Sequence, residues 1–124
     1  MSKPPKTTFL LRIRLDGETA MGPGKADLLE GISETGSIAA AGRRMKMSYK
    51  RAWMLVESMN ACFSTPLVET QRGGKSRGGA KLTEAGEIVL ATYRRMMATT
   101  ADAIASDVDA LRAMLATPPD VPDD

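Results

Sequence analysis

Gly36-Ser37-Ile38-Ala39-Ala40-Ala41-Gly42-Arg43-Arg44-Met45-Lys46-Met47-Ser48-Tyr49-Lys50-Arg51-Ala52-Trp53 reads as two helices joined by a tight turn. Gly36 suits the left-handed position that closes a preceding helix. Ser37 is an N-cap for a short helix from Ile38 to about Met45. The Ala39–Gly42 run has almost no side-chain bulk, so another helix can approach it closely. Met45-Lys46-Met47 forms the turn, and Ser48 caps the next helix, which runs to about Cys62. Ala52, Leu55, Val56, Met59 and Phe63 recur at helical spacing and define its buried stripe. Lys50, Met54 and Glu57 point the opposite way, with Arg51 and Trp53 on the flanks.

Upstream, Thr8–Leu15 alternates, with Phe9, Leu11, Ile13 and Leu15 on one face, which predicts a half-buried strand. Asp16-Gly17 is a two-residue hairpin turn, and Glu18–Met21 is the return strand. Pro23 opens a helix that runs to Thr35 and buries Leu28, Leu29 and Ile32. Downstream, Pro66 ends helical structure. Leu67–Arg72 and Ala80–Leu82 read as strands around a Gly-rich loop, residues 73–79. Thr83 caps a last helix, Glu84–Leu115, about 48 Å long at 1.5 Å per residue. That is longer than the domain beside it, so the helix projects. Its stripe of Val89, Tyr93, Met96, Ile104, Val108, Leu111 and Leu115 would face water in a monomer and is expected to form a homodimer.

The expected fold is mainly α with small β hairpins: a winged helix-turn-helix with a long C-terminal dimerisation helix. Residues 1–7 are expected to be disordered, 8–82 to form the winged domain and 83–116 the dimerisation helix, with an acidic, Pro-rich disordered tail at 117–124.

Composition narrows the function. The 124-residue chain has no histidine and one cysteine, which removes a Cys/His zinc site, an intrachain disulfide and the commonest general base. No two carboxylates are set among apolar residues, so neither an enzyme nor a metal or other cofactor is expected. Gly74-Lys75-Ser76 looks like the end of a phosphate-binding loop, but the motif requires glycine where Glu69 stands. No apolar run is long enough to span a bilayer, and no secretion signal is read at the start, so a cytoplasmic, nucleoid-associated bacterial protein is expected, with no membrane partner. Cys62 is expected in the core near a helix end, the methionines as core filling, and Trp53 half-buried.

The charge is unevenly placed. Between Arg43 and Lys81 stand nine Lys/Arg against Glu57 and Glu69, a net +7 in a chain of net +2. A polyanionic partner explains such segregation. The B-form major groove admits one helix, and the start of the second motif helix reaches base edges. Ser48, Tyr49, Lys50, Arg51 and Met54 occupy that position, with Lys50 or Arg51 suited to guanine. Ser37, Arg43, Arg44 and Lys46 flank it, and Arg72, Lys75, Ser76 and Arg77 lie on the wing. The expected partner is double-stranded DNA. The alternative, a winged-helix protein–protein interaction module without DNA binding, leaves the +7 unexplained.

Gly36-Ser37-Ile38, Ser48-Tyr49-Lys50-x-Ala52-Trp53, Met59-Asn60 and Gly73-Gly74-Lys75-x-x-Gly78-Gly79-Ala80-x-Leu82-Thr83-x-x-Gly86 together resemble the DNA-binding domain of the ModE molybdate-responsive regulator family. The Leu-Thr-Glu-Ala-Gly piece is also similar to LysR-type regulators. The ModE resemblance implies a homodimeric transcription regulator on a palindromic operator near molybdenum-related genes. Ser76 and Arg77 replace glycines common in that family. Molybdate binding, which the family places in further β-barrel domains, is not expected in this chain.

Overall fold

The computed structural model describes residues 7–73 and 76–116. Strands β1 (Ile13–Leu15) and β2 (Glu18–Met21) form an antiparallel hairpin. Its turn has positive φ at both Asp16 (51°) and Gly17 (86°), the conformation that the Asp-Gly pair predicts. Helices α1 (Pro23–Thr35), α2 (Ile38–Arg44) and α3 (Tyr49–Cys62) follow, then the antiparallel wing strands β3 (Val68–Gly73) and β4 (Ser76–Leu82), then α4 (Glu84–Ala113). The winged helix-turn-helix reading is therefore correct. The acidic tail, residues 1–6 and the wing tip at 74–75 lie outside the described residues.

The caps stand where sequence places them. Ser37, Ser48 and Thr83 each accept a hydrogen bond from the backbone N–H three residues on, and Gly36 closes α1 at φ 74°. One core fills the space between the three helices, the wing and the start of α4. Leu28, Leu29, Ile32, Val56, Met59, Leu67 and Tyr93 are its largest fully buried side chains. Each such side chain contributes about 1.5–3 kcal/mol of burial.

The start of α4 is fastened at its first turn. The Thr83 hydroxyl donates to the Pro66 carbonyl at 2.7 Å and the Thr83 N–H to Leu67 O at 2.9 Å. Gly86 lies so close beneath that a Cβ there would stand 2.1 Å from the Leu67 carbonyl oxygen, so no other residue fits.

Several expectations are corrected. Residues 8–12 are not strand, because β2 begins at Glu18 and ends at Met21, leaving them no partner to pair with. They run instead beside α4: the Leu11 carbonyl accepts from the Tyr93 hydroxyl at 2.6 Å, and Arg112 donates to the Thr7 hydroxyl. Leu15, expected on the buried face, is exposed, and so is Cys62, which lies at the open end of α3. Of the methionines, Met21 and Met59 fill the core and Met54 and Met96 are exposed, all as their assigned faces require, whereas Met114, expected as core filling, is exposed. Strand β4 starts at Ser76 rather than Ala80, which shortens the wing loop.

The last concerns Tyr93. It is 1% exposed within a single chain, so it packs in its own domain and is not available to a partner. Desolvation raises its phenol above the ordinary value of 10.0. A raised pKa means that the folded state favours the protonated hydroxyl. The stabilisation is complete below the unfolded value and is lost as pH rises through the folded one. Tyr93→Phe is expected to cost about 1 kcal/mol by leaving the Leu11 carbonyl without this donor. The gap between parent and variant in urea denaturation should persist at neutral pH and narrow above about pH 10. Equal stability at neutral pH would show that the hydrogen bond contributes nothing.

Candidate nucleic-acid interface

The helix-turn-helix geometry rests on small residues. A Cβ on Gly42 would stand 3.0 Å from the Ala52 methyl, so glycine lets α2 lie close against α3 and a side chain there would push the two apart by a few tenths of an ångström. The turn between them needs Lys46 at φ 59°, with Met47 N–H returning to Gly42 O at 3.0 Å. Ser48–Arg51, at the start of α3, are exposed.

That end carries the candidate residues. Ser48 Oγ accepts from Arg51 N–H at 3.1 Å, which leaves the hydroxyl proton free to donate outward. Tyr49 is 57% exposed, its ring edge-on to Trp53 with centroids 6.2 Å apart. Lys50 and Arg51 are exposed, and Met54, one turn further, is 56% exposed. Among the described residues neither Lys50 nor Arg51 is paired with a carboxylate. Trp53 is half-buried, as expected.

The flanking residues divide. Arg43 and Lys46 are exposed beside the turn. Arg44 instead reaches Glu34 of α1 at 2.6 Å, an exposed pair that offsets its charge. On the wing, Lys81 lies 3.9 Å from Glu69 across the hairpin. Lys75 lies outside the described residues, as do the side chains of Arg72, Ser76 and Arg77. Ser37 is half-buried, its hydroxyl oxygen accepting from Ala40 N–H at 3.0 Å.

Two features escaped the sequence reading. Asn60 staples the end of α3 to the root of the wing: its Oδ1 accepts from Leu67 N–H (2.8 Å) and Val68 N–H (3.1 Å), and its Nδ2 donates to Val68 O (3.1 Å). A lone amide directly after the buried Met59, six residues before Pro66, was the available signal. The second is a cleft of about 210 Å³ between α3 and the wing, edged by Ser37, Tyr49, Trp53, Thr70 and Gln71. The wing is held beside it by Ala80 N–H, which donates to Gly36 O at 2.9 Å.

Comparison with known proteins agrees with this architecture. Residues 26–87 match the family described as bacterial regulatory helix-turn-helix protein, lysR family. The chain belongs to this LysR-type family. The matched segment is the helix-turn-helix region of that regulatory family, from α1 to the start of α4. It is similar to the molybdenum-pterin-binding protein MopB of Rhodobacter capsulatus, with 44% identity over 86 residues, 69% of this chain and 32% of that one. It is also similar to the molybdenum transport protein ModE of Azotobacter vinelandii, with 39% identity over 92 residues, 73% of this chain and 34% of the relative. The LysR-type chain thus spans about a third of the length of these curated relatives.

Among solved structures, full-length LysG of Corynebacterium glutamicum with bound effector Arg superposes with a TM-score of 0.55 at 26% identity, over 76% of this chain and 30% of that one. The CbnR DNA-binding domain in complex with DNA gives 0.57 at 24% identity, over 72% of this chain and 97% of that one, and shows the fold.

Asn60 generates a stability prediction. Asn60→Ala leaves two backbone N–H groups and one carbonyl at the wing root without partners, beside a fully buried Leu67. Chemical denaturation should show a loss of about 2 kcal/mol. A loss below about 0.5 kcal/mol, the range of ordinary surface substitutions, would mean that the wing root is held by something else.

Proposed function

We propose that this LysR-type chain binds double-stranded DNA as a homodimer on an inverted-repeat operator, with the start of α3 in the major groove of each half-site. The observation that carries the reading is the exposed Ser48–Arg51 turn and Met54, whose two cations are unpaired among the described residues, at the outward end of α3. Lys50 and Arg51 are assigned to base edges, with Ser48, Tyr49 and Met54 around them. Ser37, Arg43, Lys46 and, less directly, the Glu34-paired Arg44 are assigned to the backbone, and Arg72, Lys75, Ser76 and Arg77 on the wing to the flanking DNA. The winged domain is taken as residues 8–82 and the dimerisation helix as 83–116. The likeness to MopB and ModE, a molybdenum-pterin-binding and a molybdenum transport protein, supports operators near molybdenum-related genes. Molybdate sensing is not part of the proposal.

Duplex affinity should fall with salt by about 0.9 log unit per phosphate neutralised for each log unit of salt. Lys50→Ala or Arg51→Ala should cost about 1–3 kcal/mol at particular base pairs, whereas Lys75→Ala and Arg77→Ala should weaken all sequences alike. Fluorescence anisotropy on selected and mixed-sequence duplexes separates the two classes. Equal losses on both duplexes for all four variants would contradict the base-reading assignment, and an affinity independent of salt would contradict the DNA reading.

The dimer rests on the far half of α4, where Leu111 is 67% exposed in a single chain, and on Met114 and Leu115 just past its end at Ala113, both exposed. Ile104 and Val108 are half-buried, sharing a groove with Phe9 and Thr7, so the amino-terminal segment covers part of the expected stripe. Val89 packs on the domain core, and Met96 stays at the edge of an apolar groove with Leu15 and Ile88. Two-fold pairing would set half-site centres about 34 Å apart or a multiple of that. Leu111→Asp with Leu115→Asp should give a folded monomer with lost operator affinity. A double variant that still sediments as a dimer would place the interface elsewhere.

A further inference from the structure

We propose that the cleft between α3 and the wing is the seat of one sugar–phosphate unit of the DNA backbone, and that Gln71 is a phosphate-contacting residue there. The inference rests on the DNA reading above and adds a site to it. In B-form DNA the major and minor grooves are separated by a backbone strand. A protein that puts a helix in the major groove and a wing over the adjacent minor groove must let that strand pass between the two. Here the space between them is an open cleft of about 210 Å³.

Its walls have the matching chemistry. Trp53 and Ala80 give an apolar side against which a deoxyribose can pack, while Ser37, Tyr49, Thr70 and Gln71 supply hydroxyl and amide donors. Among the described residues that line the cleft none is charged. Gln71 is exposed, and its Oε1 lies 3.9 Å from where a Cβ on Gly79 would stand, so the side chain folds over the glycine at the rim. Among the described residues the Thr70 and Gln71 side chains have no hydrogen-bond partner, and the Ser37 hydroxyl, having accepted from Ala40 N–H, retains its proton for donation. Glu69, two residues along β3, is offset by Lys81. Neutral donors of this kind hold a phosphate without releasing a counterion, so the seat adds affinity while leaving the salt slope to Lys and Arg.

The test uses the full chain and two duplexes, one of mixed sequence and one selected from a random pool. Gln71→Ala should weaken both by the same factor, about two- to tenfold, with an unchanged salt slope, as loss of one neutral hydrogen bond predicts. Gln71→Glu should weaken both by more than the alanine variant at low salt, and the gap should shrink as salt screens the carboxylate from the phosphate. Because Gln71 is exposed and unbonded, unfolding curves of both variants should overlay the parent. A Gln71→Glu chain that binds as the parent does at low salt overturns the seat while leaving the DNA reading intact. So does a loss confined to the selected duplex, which would make Gln71 a base reader. A parent chain with no affinity for either duplex overturns both.

Discussion

Tyr93 is the point at which the amino-terminal segment, the helical core and the long helix meet. Its ring is buried in the core and its hydroxyl donates to the Leu11 carbonyl, so one side chain from the third turn of α4 holds both the helix and the segment beside it. Burial of such a ring contributes about 1.5–3 kcal/mol, and the hydrogen bond about one more. The neighbouring Arg94 reaches Asp27 and Glu30 of α1, but all three side chains are well exposed. A pair of that kind contributes about 0–1 kcal/mol. Packing of Tyr93, together with the Gly86–Leu67 contact, therefore sets how α4 leaves the domain, and the ion pairs adjust it. Any dimer built on the far half of α4 inherits its geometry from this near half.

The fold was legible wherever local chemistry decides conformation. Ser37, Ser48 and Thr83 cap, Gly36 closes a helix and Asp16-Gly17 turns a hairpin because each residue acts on its own backbone within a few positions. What depends on distant partners was not. Period-two alternation in residues 8–12 is compatible with a strand, but a strand needs a neighbour, and β2 is only four residues long. The segment finds its partner in α4, 82 residues away at the Leu11–Tyr93 bond. Tyr93 itself lies on the apolar stripe with Val89 and Met96, and periodicity cannot say which part of a stripe faces its own domain and which part projects. Cys62 was misplaced for a related reason: the last turn of α3 runs past the core that covers Met59.

The candidate site was legible as charge and position, less so as support. Basic residues at the start of α3 declare themselves because nothing in a core needs them there. Arg44 and Lys81 add to the same count, yet each sits beside a carboxylate, so formal charge overstated the free cations. Asn60 was invisible to any count of charge, being one neutral amide whose three hydrogen bonds matter only once β3 is folded against α3. Gln71 was equally silent, since its place beside the cleft follows from the register that pairs it with Gly79.

The distribution of sign along the molecule acts on orientation as well as affinity. The projecting half of α4 carries Asp102, Asp107 and Asp109, all exposed, against Arg112 alone, and Arg112 is turned toward Thr7. The helix-turn-helix region instead carries Arg43, Lys46, Lys50 and Arg51, all exposed, on and around its turn. In the field of a polyanion these two regions experience opposite forces, which favours presentation of the turn over presentation of the far half of α4. Electrostatic orientation of this kind raises the rate of productive encounter more than the strength of the final complex.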